Sequence, residues 1–286
     1  MPEDDGSVFW LNGYRVHRNS IDGLNRGLHY GDGLFETMMV VNQRIPLWER
    51  HKHRLLTDAH RLALPIDEQS VQQDVDCIIA SLDDLPTHLN RSFRLKYLLM
   101  AGGRGPLGYT RPRANCDRLM ILQPMVTNLD HERKYGVKAQ LCQWRLSHQP
   151  QLAGIKHLNR LDQIMAAKEL TDAFEGITCD QHGNIIEGIS SNVFAVLADG
   201  QLVTPLLNNA GVAGVMRGLI MDVLAPSLGV MCQEIRMTSL TPYHSMFLTN
   251  AVWGIVPITM LNHKTLAIHD VIKQLQRCYQ QWMDSP

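Results

Sequence analysis

The order of the predicted secondary-structure elements constrains the fold of this chain more than any other feature. Short β-rich runs follow one another between turns that contain glycine or asparagine, and amphipathic helical segments interrupt them without strict alternation. Strict alternation would predict a parallel sheet covered by helices, whereas this irregular mixture predicts an α+β architecture. Because 286 residues are many for one hydrophobic core, two domains are expected.

The first half of the chain is predicted to begin with a hairpin and to continue with strands and helices. Asn12-Gly13 is a strong two-residue turn signal in the middle of Phe9–Val16. Leu34–Val41 is an apolar, β-rich strand, and we expect it to pair with Arg44–Trp48. The other elements predicted here are a helix from Glu49 that stops before Pro65, a helix over Glu68–Leu82, and strands over Arg91–Met100 and Arg118–Gln123.

A polar, turn-rich stretch over Pro124–Lys134 separates the two halves. We therefore predict an N-terminal domain over residues 1–124, a linker over residues 125–134 and a C-terminal domain over residues 135–286. The second half is predicted to contain strands at Val137–Trp144, Gly176–Glu187, Asn192–Leu197, Gln201–Thr204, Val230–Glu234, Met246–Thr249 and Gly254–Leu261, with helices after Lys156 and Gly214 and at the C-terminus. The C-terminal helix carries an apolar stripe, which predicts a buried face.

Composition argues against several classes of function. Hydrophobic residues make up 45% of the chain, charged residues make up 19%, and the net charge is −1, as in an ordinary globular protein. Without a basic excess, nucleic acids and anionic membranes are poor partners. The 6 cysteines include no CxxC pair, which argues against a zinc ribbon and favours reduced thiols in the cytoplasm. The acidic start Met1–Gly6 is not typical of a secretory signal.

Lys156 is the first candidate for a chemical role. It stands among Leu152, Ile155 and Leu158, where an ammonium group loses hydration and the pKa of the amine is expected to fall. A neutral amine is a nucleophile, so Lys156 could form a Schiff base with a carbonyl compound or with pyridoxal phosphate. The alternative is a lysine whose stem lies along the edge of a core and whose charged head stays in water.

A second candidate is the glycine-rich run that leads into the helix after Gly214. The amides of Val215 and Met216 stand at the start of that helix, where unpaired N–H groups and the helix dipole favour a phosphate. Arg54 could add a guanidinium to such a site. The alternatives are an ordinary glycine-rich turn and a solvated arginine on an amphipathic helix.

A third candidate is Glu187, which stands at the end of a predicted strand before the small-residue turn Gly188–Asn192. A carboxylate there could keep a pyridine nitrogen protonated, which strengthens pyridoxal phosphate as an electron sink. The alternative is a surface glutamate. Taken together, the lysine, the glutamate, the helix start and the arginine make one complete cofactor site.

Two further patterns resemble binding motifs but are not interpreted as such. His51 and His53 are two residues apart, so on a helix they point to different faces, and solvated positions are predicted for them rather than a metal site. Gly103–Gly108 matches GxGxxG, but the residues after it cannot promptly start the helix that a dinucleotide fingerprint requires. The run is interpreted as a connecting loop or an active-site lid.

The candidate stretches together resemble the fold-type IV pyridoxal-phosphate family, which contains branched-chain aminotransferases, D-amino acid aminotransferases and 4-amino-4-deoxychorismate lyases. The similar segments span nearly the whole chain: Arg26–Thr37, His51–Leu55, Lys156, Glu187–Phe194, Gly214–Arg217 and Phe247–Pro257. The resemblance implies a smaller N-terminal α/β domain, a larger C-terminal barrel-like α+β domain, and a homodimer.

The resemblance also implies roles for individual residues. Lys156 would bond covalently to pyridoxal 5′-phosphate, Glu187 would face the pyridine nitrogen, and phosphate would be bound by Arg54 and the amides of Val215 and Met216. Asn250 is implied as a phosphate or substrate contact. The residues implied on the substrate side are Tyr30, Thr37, Arg104 and Tyr109, although Arg104 stands later in its loop than the family's usual arginine.

Within the family, Ala153–Leu161 and Asn250-Ala251 are most similar to the lyase members. The branched-chain enzymes place a tyrosine where Leu161 stands, so that subgroup is disfavoured. The resemblance thus implies that Lys156 removes a proton from 4-amino-4-deoxychorismate, with release of pyruvate and 4-aminobenzoate in folate biosynthesis. The alternatives are a D-amino acid or branched-chain aminotransferase, and a non-enzymatic small-molecule-binding module.

Overall fold

The computed structural model describes residues 6–18, 20–84, 92–102, 108–111, 116–125, 128–225 and 229–284. The chain divides into two compact units. The first comprises Met1–Thr127 together with Lys156–Asn159, and the second comprises Asn128–Ile155 together with Arg160–Pro286. Each unit contains both strands and helices, which confirms the predicted α+β class.

The first unit is built on a five-stranded sheet in the order β2-β1-β5-β4-β3, in which every neighbouring pair is antiparallel. Its strands are β1 (Val8–Leu11), β2 (Tyr14–Val16), β3 (Gly33–Val41), β4 (Ser92–Ala101) and β5 (Cys116–Pro124). Its helices are α1 (Arg26–Tyr30), α2 (Trp48–Arg61) and α3 (Glu68–Ala80), followed by a 3₁₀ turn at Leu82–Asp84. Helix α2 packs against β3.

The predicted hairpin is confirmed, whereas the predicted partner of β3 is wrong. Asn12 and Gly13 adopt positive φ angles of 53° and 86°, as a tight two-residue turn between β1 and β2 requires. Strand β3 pairs along its whole length with β4, and Arg44 forms only an isolated bridge to Val41. The pairing of β3 with β4 is the more stable one because it aligns two apolar strands over nine consecutive residue pairs.

The second unit contains a ten-stranded sheet in the order β11-β10-β9-β13-β14-β6-β7-β8-β12, with β15 paired to β14. Its strands are β6 (Val137–Arg145), β7 (Glu175–Cys179), β8 (Asn184–Gly188), β9 (Asn192–Val196), β10 (Leu202–Pro205), β11 (Val230–Gln233), β12 (Ile235–Arg236), β13 (Ser245–Asn250), β14 (Gly254–Leu261) and β15 (Lys264–Thr265). Its helices are α4 (Asp130–Tyr135), α5 (Leu161–Ala167), α6 (Val215–Leu219) and α7 (Asp270–Asp284), with a π-helical turn at Ile220–Leu224 after α6. Helix α4 lies within the stretch that the sequence assigns mostly to the linker.

The stretch Gly176–Glu187, predicted as one strand, is a hairpin of β7 and β8. Asp180 causes the break, because its carboxylate accepts hydrogen bonds from the amides of His182 and Asn184, and Gly183 supplies a positive φ of 79°. The hairpin brings Glu187 opposite Thr178. Glu187 therefore stands on a strand whose five residues are all buried.

The core of the second unit is formed by inward-facing side chains of the large sheet. The rings of Phe194 and Phe247, on neighbouring strands, stack with their centroids 4.9 Å apart. Ile272 and Leu275 on α7 are buried, which confirms the apolar stripe predicted for that helix. No helix in the described ranges is long and apolar enough to span a bilayer.

Candidate active site

Lys156 is held in the first unit by its backbone. The amide of Phe35 donates to the Lys156 carbonyl at 3.0 Å, and the amide of Leu158 donates to the Gly33 carbonyl at 2.9 Å. The segment therefore adds a short antiparallel pairing to the outer edge of β3. The Lys156 amide donates to the Asp58 carboxylate on α2 at 3.1 Å. Strand and helix together fix the position of this lysine.

The side chain of Lys156 lies over an aromatic ring. Its Nζ is 4.3 Å from the centroid of the Phe35 ring, a cation–π distance. The Nζ of Lys96 lies 5.2 Å from the same centroid, and Lys96 pairs directly with Thr37 across β3 and β4. Because side chains alternate along a strand, Phe35 and Thr37 share one face of β3. That face therefore carries the predicted lysine, the predicted threonine and a second amine that sequence reasoning missed.

A buried ion cluster lies on the opposite face of β3, between this strand and α2. Arg54 donates through Nε to the Glu36 carboxylate at 2.7 Å and pairs with it again through a terminal nitrogen. His51 Nδ1 also contacts this carboxylate, at 2.7 Å. Burial raises the pKa of Glu36, but Arg54 and His51 overcome that effect and hold the pKa at about 2. Glu36 is therefore an ionised carboxylate that orients Arg54.

The protonation of His51 follows from this arrangement. Burial lowers the pKa of His51, despite the opposing influence of Glu36, so the imidazole is neutral near pH 7. Because an ionised carboxylate can only accept, Nδ1 must carry the proton. The other nitrogen, Nε2, is enclosed, and no described residue is its hydrogen-bond partner. The imidazole thus presents a buried acceptor beside the phosphate-binding candidate Arg54.

The predicted solvated position is wrong for His51 and is confirmed for His53. His51 is 1% exposed, whereas His53 is exposed on the opposite side of α2. His51 is buried because Glu36, an inward-facing residue of β3, offers it a charged partner. Within the described ranges, no group of three or more His, Cys, Asp and Glu side chains is placed to hold a metal ion.

Two of the predicted substrate residues, Tyr30 and Tyr109, lie together in the first unit. Their ring centroids are 5.6 Å apart, and the Tyr30 hydroxyl accepts from the Gly108 amide at 2.9 Å. Arg26 stacks over the Tyr30 ring and donates to the carbonyls of Gly108 and Tyr109. The Tyr109 side chain itself is 91% exposed. The prediction for Arg104 lies outside the described residues.

In the second unit, Glu187 is buried and held on both carboxylate oxygens. One oxygen accepts from the Val212 amide at 2.7 Å, and the other contacts Gln163 Nε2 at 3.4 Å. Glu187 is 4% exposed, so the alternative of a surface glutamate is wrong. The turn that follows it is fixed by the Glu175 carboxylate, which accepts from the amide and hydroxyl of Ser190.

Helix α6 begins where the sequence predicts a helix after Gly214, and the role of its first amides as phosphate ligands stays a prediction. Gly214 is the N-cap residue, with φ −64° and ψ 137°, and Val215 and Met216 open the helix. Among the described residues, no group accepts a hydrogen bond from the amides of Val215 and Met216. Asn192 donates to the Val212 carbonyl at 2.9 Å, and its own side-chain oxygen lies against Gly214. This contact holds the turn that leads into α6.

Replacing Gly214 by alanine is expected to disturb this turn. A β-carbon at Gly214 would overlap the side-chain oxygen of Asn192, so Asn192 must leave its bond to Val212. We expect a loss of about 1–3 kcal/mol in the free energy of unfolding, the usual cost of overpacking a fixed site, measured by urea titration. Gly23→Ala is the matched control, because a β-carbon there meets open space. An unchanged midpoint for Gly214→Ala would show that Asn192 does not fix the helix start.

Asn250 is engaged with its own turn. Its side-chain oxygen accepts from the amides of Val252 and Trp253 at 2.9 and 2.7 Å, and its nitrogen donates to the Ser190 carbonyl at 3.1 Å. It therefore links the turn after β13 to the turn after Glu187. Its role as a phosphate or substrate contact stays a prediction.

Comparison with known proteins adds to this geometry. The model of the family described as Amino-transferase class IV matches residues 33–261. The chain belongs to this family. Aminodeoxychorismate lyase of Vibrio harveyi is 28% identical over 279 residues, which span 94% of this chain and 97% of that protein. 

Solved structures resemble the whole chain. The crystal structure of 4-amino-4-deoxychorismate lyase from Pseudomonas aeruginosa has a TM-score of 0.85 at 33% identity, and the match covers 97% of this chain and 100% of that one. Branched-chain aminotransferase from Thermoproteus uzoniensis, solved with norvaline, has a TM-score of 0.82 at 20% identity, covering 96% and 93%. The second likeness concerns the fold alone. Together they confirm the predicted fold-type IV architecture.

Class IV aminotransferases use pyridoxal 5′-phosphate, and this chain is a pyridoxal-phosphate-dependent enzyme, as predicted. The described groups fit the three polar parts of that cofactor. The amine of Lys156 suits the aldehyde, the buried carboxylate of Glu187 suits a protonated pyridine nitrogen, and the amides of Val215 and Met216 suit the phosphate. 

Proposed function

We propose that this enzyme is a 4-amino-4-deoxychorismate lyase, which removes pyruvate from 4-amino-4-deoxychorismate and leaves 4-aminobenzoate for folate biosynthesis. The observation that carries the proposal is the full-length likeness to the lyase from Pseudomonas aeruginosa, at 33% identity and a TM-score of 0.85. The similarity to the Vibrio harveyi lyase over 94% of the chain supports it. We further propose a homodimer, as the family resemblance implies, and a cytoplasmic location, which the cysteine pattern favours.

In this proposal each polar part of the cofactor has its own binding residues. Lys156 would bond to the cofactor aldehyde, and the Glu187 carboxylate would accept a hydrogen bond from the protonated pyridine nitrogen. Arg54 and the amides of Val215 and Met216 bind the phosphate, with Arg54 oriented by Glu36. Asn250 is proposed as a further contact to the phosphate or the substrate. When bound, pyridoxal phosphate supplies an electron sink for charge that develops next to the substrate amine.

Lys156 is proposed as the catalytic base. The amine of Lys156 would remove the proton from substrate C4. The electrons of that bond support cleavage of the C3–oxygen bond, and the enolpyruvyl oxygen leaves. The methylene of the leaving group then takes up a proton, which completes pyruvate and leaves an aromatic ring. Lys156 itself, Thr37 or a water molecule is the proton donor.

The substrate side is proposed to include Tyr30, Thr37, Arg104 and Tyr109. Thr37 lies on the same strand face as Phe35, over whose ring the Lys156 amine lies. The rings of Tyr30 and Tyr109 form one aromatic pair. Lys96 on β4 is the direct strand partner of Thr37 on β3. Its amine adds positive charge suited to the substrate carboxylates.

The lyase proposal predicts pyruvate release without any amino acceptor. Purified enzyme loaded with pyridoxal phosphate should form pyruvate and 4-aminobenzoate in equal amounts from 4-amino-4-deoxychorismate, measured with a coupled pyruvate assay and by fluorescence. The control reaction supplies 2-oxoglutarate with a D-amino acid or a branched-chain amino acid. Amino transfer in that control, with no pyruvate in the main reaction, would contradict the lyase proposal and favour an aminotransferase.

A further inference from the structure

Arg160 is a partly buried cation in the second unit. It stands directly before α5, and its carbonyl accepts the first helical hydrogen bond from Ile164 at 3.0 Å, so its backbone is fixed. The Nε atom of its guanidinium is enclosed, and none of the described residues accepts a hydrogen bond from it. Burial lowers the pKa of Arg160, although the charges of Glu187 and Asp162 oppose the shift. The guanidinium remains charged, because arginine does not lose its proton in proteins.

Gln163, near the start of α5, places this part of the helix beside Glu187. It stands three residues after Arg160, a spacing that places both on one side of a helix. Its Nε2 lies 3.4 Å from the Glu187 carboxylate, and its Oε1 is enclosed and, among the described residues, unpartnered. Arg160 and Gln163 thus present a donor and an acceptor beside Glu187.

Such an arrangement is costly unless a ligand completes it. A buried N–H of a charged group that lacks an acceptor carries the full penalty of its lost hydration. Proteins nearly always satisfy such groups, so an unsatisfied one next to a buried carboxylate calls for an explanation. An anionic oxygen would satisfy Arg160, and the charge of the guanidinium makes that hydrogen bond stronger than a neutral one.

We propose that Arg160 binds an anionic oxygen of the ligand that occupies the site beside Glu187. This inference rests on the proposed contact between Glu187 and the cofactor's pyridine nitrogen. Two oxygens have the required chemistry: the phenolic oxygen on the cofactor ring and a carboxylate of the substrate. In either case Arg160 is a ligand-contacting residue rather than a support for the fold.

Direct binding measurements test the proposal without relying on turnover. Pyridoxine 5′-phosphate has the phenolic oxygen but no aldehyde, so its binding to the apoprotein does not depend on the bond to Lys156. Chorismate has the carboxylates but no amine to displace Lys156, so its binding to the loaded enzyme reports the substrate side. Both affinities are measured by calorimetry for wild type, Arg160→Gln and Arg160→Lys. Arg236→Gln, an exposed arginine of the same unit, is the matched control.

If the phenolic oxygen is the partner, Arg160→Gln should bind pyridoxine 5′-phosphate about 10- to 100-fold more weakly and bind chorismate normally. If a carboxylate is the partner, chorismate binding should fall by about the same factor and pyridoxine 5′-phosphate binding should not change. Arg160→Lys keeps the positive charge but lacks the planar guanidinium, so it should recover part of the lost affinity. If Arg160→Gln does not fold, Arg160→Lys is compared directly with wild type, and a loss of about fivefold or more is expected.

The proposal is overturned if both ligands bind a folded Arg160 variant within about twofold of wild type. Glu187→Gln separates this failure from a failure of the cofactor placement. If Glu187→Gln binds pyridoxine 5′-phosphate as tightly as wild type, the placement of the cofactor at Glu187 is wrong. If only the Arg160 variants bind normally, the cofactor placement stands and the role of Arg160 is refuted. The pyruvate assay tests the lyase function separately.

Discussion

Replacing Lys156 by alanine is expected to abolish pyruvate release and the visible absorbance of the lysine-bound cofactor. The variant loses both the proposed covalent anchor and the proposed base, so the rate should fall by at least about 10⁴-fold, the upper end of what one positioned acid or base contributes. The backbone pairing of residues 156–158 with β3 does not depend on the amine, so the variant should fold. A coupled pyruvate assay and an absorption spectrum measure the two effects.

Lys168→Ala is the matched control for this experiment. Lys168 is exposed at the end of α5, and its removal should leave turnover and spectrum within about twofold of wild type. An active Lys156→Ala enzyme would refute the proposed mechanism. Loss of turnover with an unchanged cofactor spectrum would place the covalent bond on another amine.

Replacing Glu36 by alanine is expected to be among the most destabilising single changes in the first unit. The substitution breaks the ion pair between the buried Glu36 carboxylate and the largely enclosed Arg54, and breaking such a pair costs about 3–5 kcal/mol. Arg54 also loses its fixed orientation, so binding of pyridoxal phosphate should weaken. Urea titration measures the stability, and fluorescence titration with the cofactor measures the binding.

The pH dependence of stability shows whether Glu36→Gln removes an ionised carboxylate or only disturbs packing. The folded pKa of Glu36, about 2, lies below the ordinary value of 4.5, so its contribution is fully present above pH 4.5 and is lost as the pH falls towards 2. The difference between wild type and Glu36→Gln should therefore shrink across that range. Glu49→Gln, an exposed pair with Lys52, should show a difference within about 0.5 kcal/mol at every pH. A constant difference for Glu36→Gln would contradict the ionised cluster.

Local sequence patterns predicted the elements far better than their pairing. The hairpin at Asn12-Gly13, the helix at Gly214 and the apolar stripe of α7 each depend on residues a few positions apart, and all three are confirmed. The partner of β3 is a strand that begins more than fifty residues later. Its selection depends on how two complete strands align, and no short window of sequence contains that information.

The same limit explains what was missed in the candidate site. Lys156 and Glu187 stand out locally, because a lysine among apolar residues and a carboxylate before a small-residue turn are unusual. Glu36 and Lys96 are ordinary members of alternating strands, and they gain importance only from Arg54 and Thr37, which are distant in the sequence. His51 was predicted to be solvated for the same reason, since only the tertiary fold supplies its buried carboxylate.

The pairing of residues 156–158 with β3 has a consequence for biosynthesis. Strand β3 is the last strand of its sheet, and its outer edge near Gly33 is paired by a segment that the ribosome makes more than a hundred residues later. During translation, the first unit can therefore assemble its sheet with that edge open, and a long loop must close before the edge is paired. Since Lys156 is part of this segment, pairing of the sheet edge also positions the amine that we propose as the nucleophile.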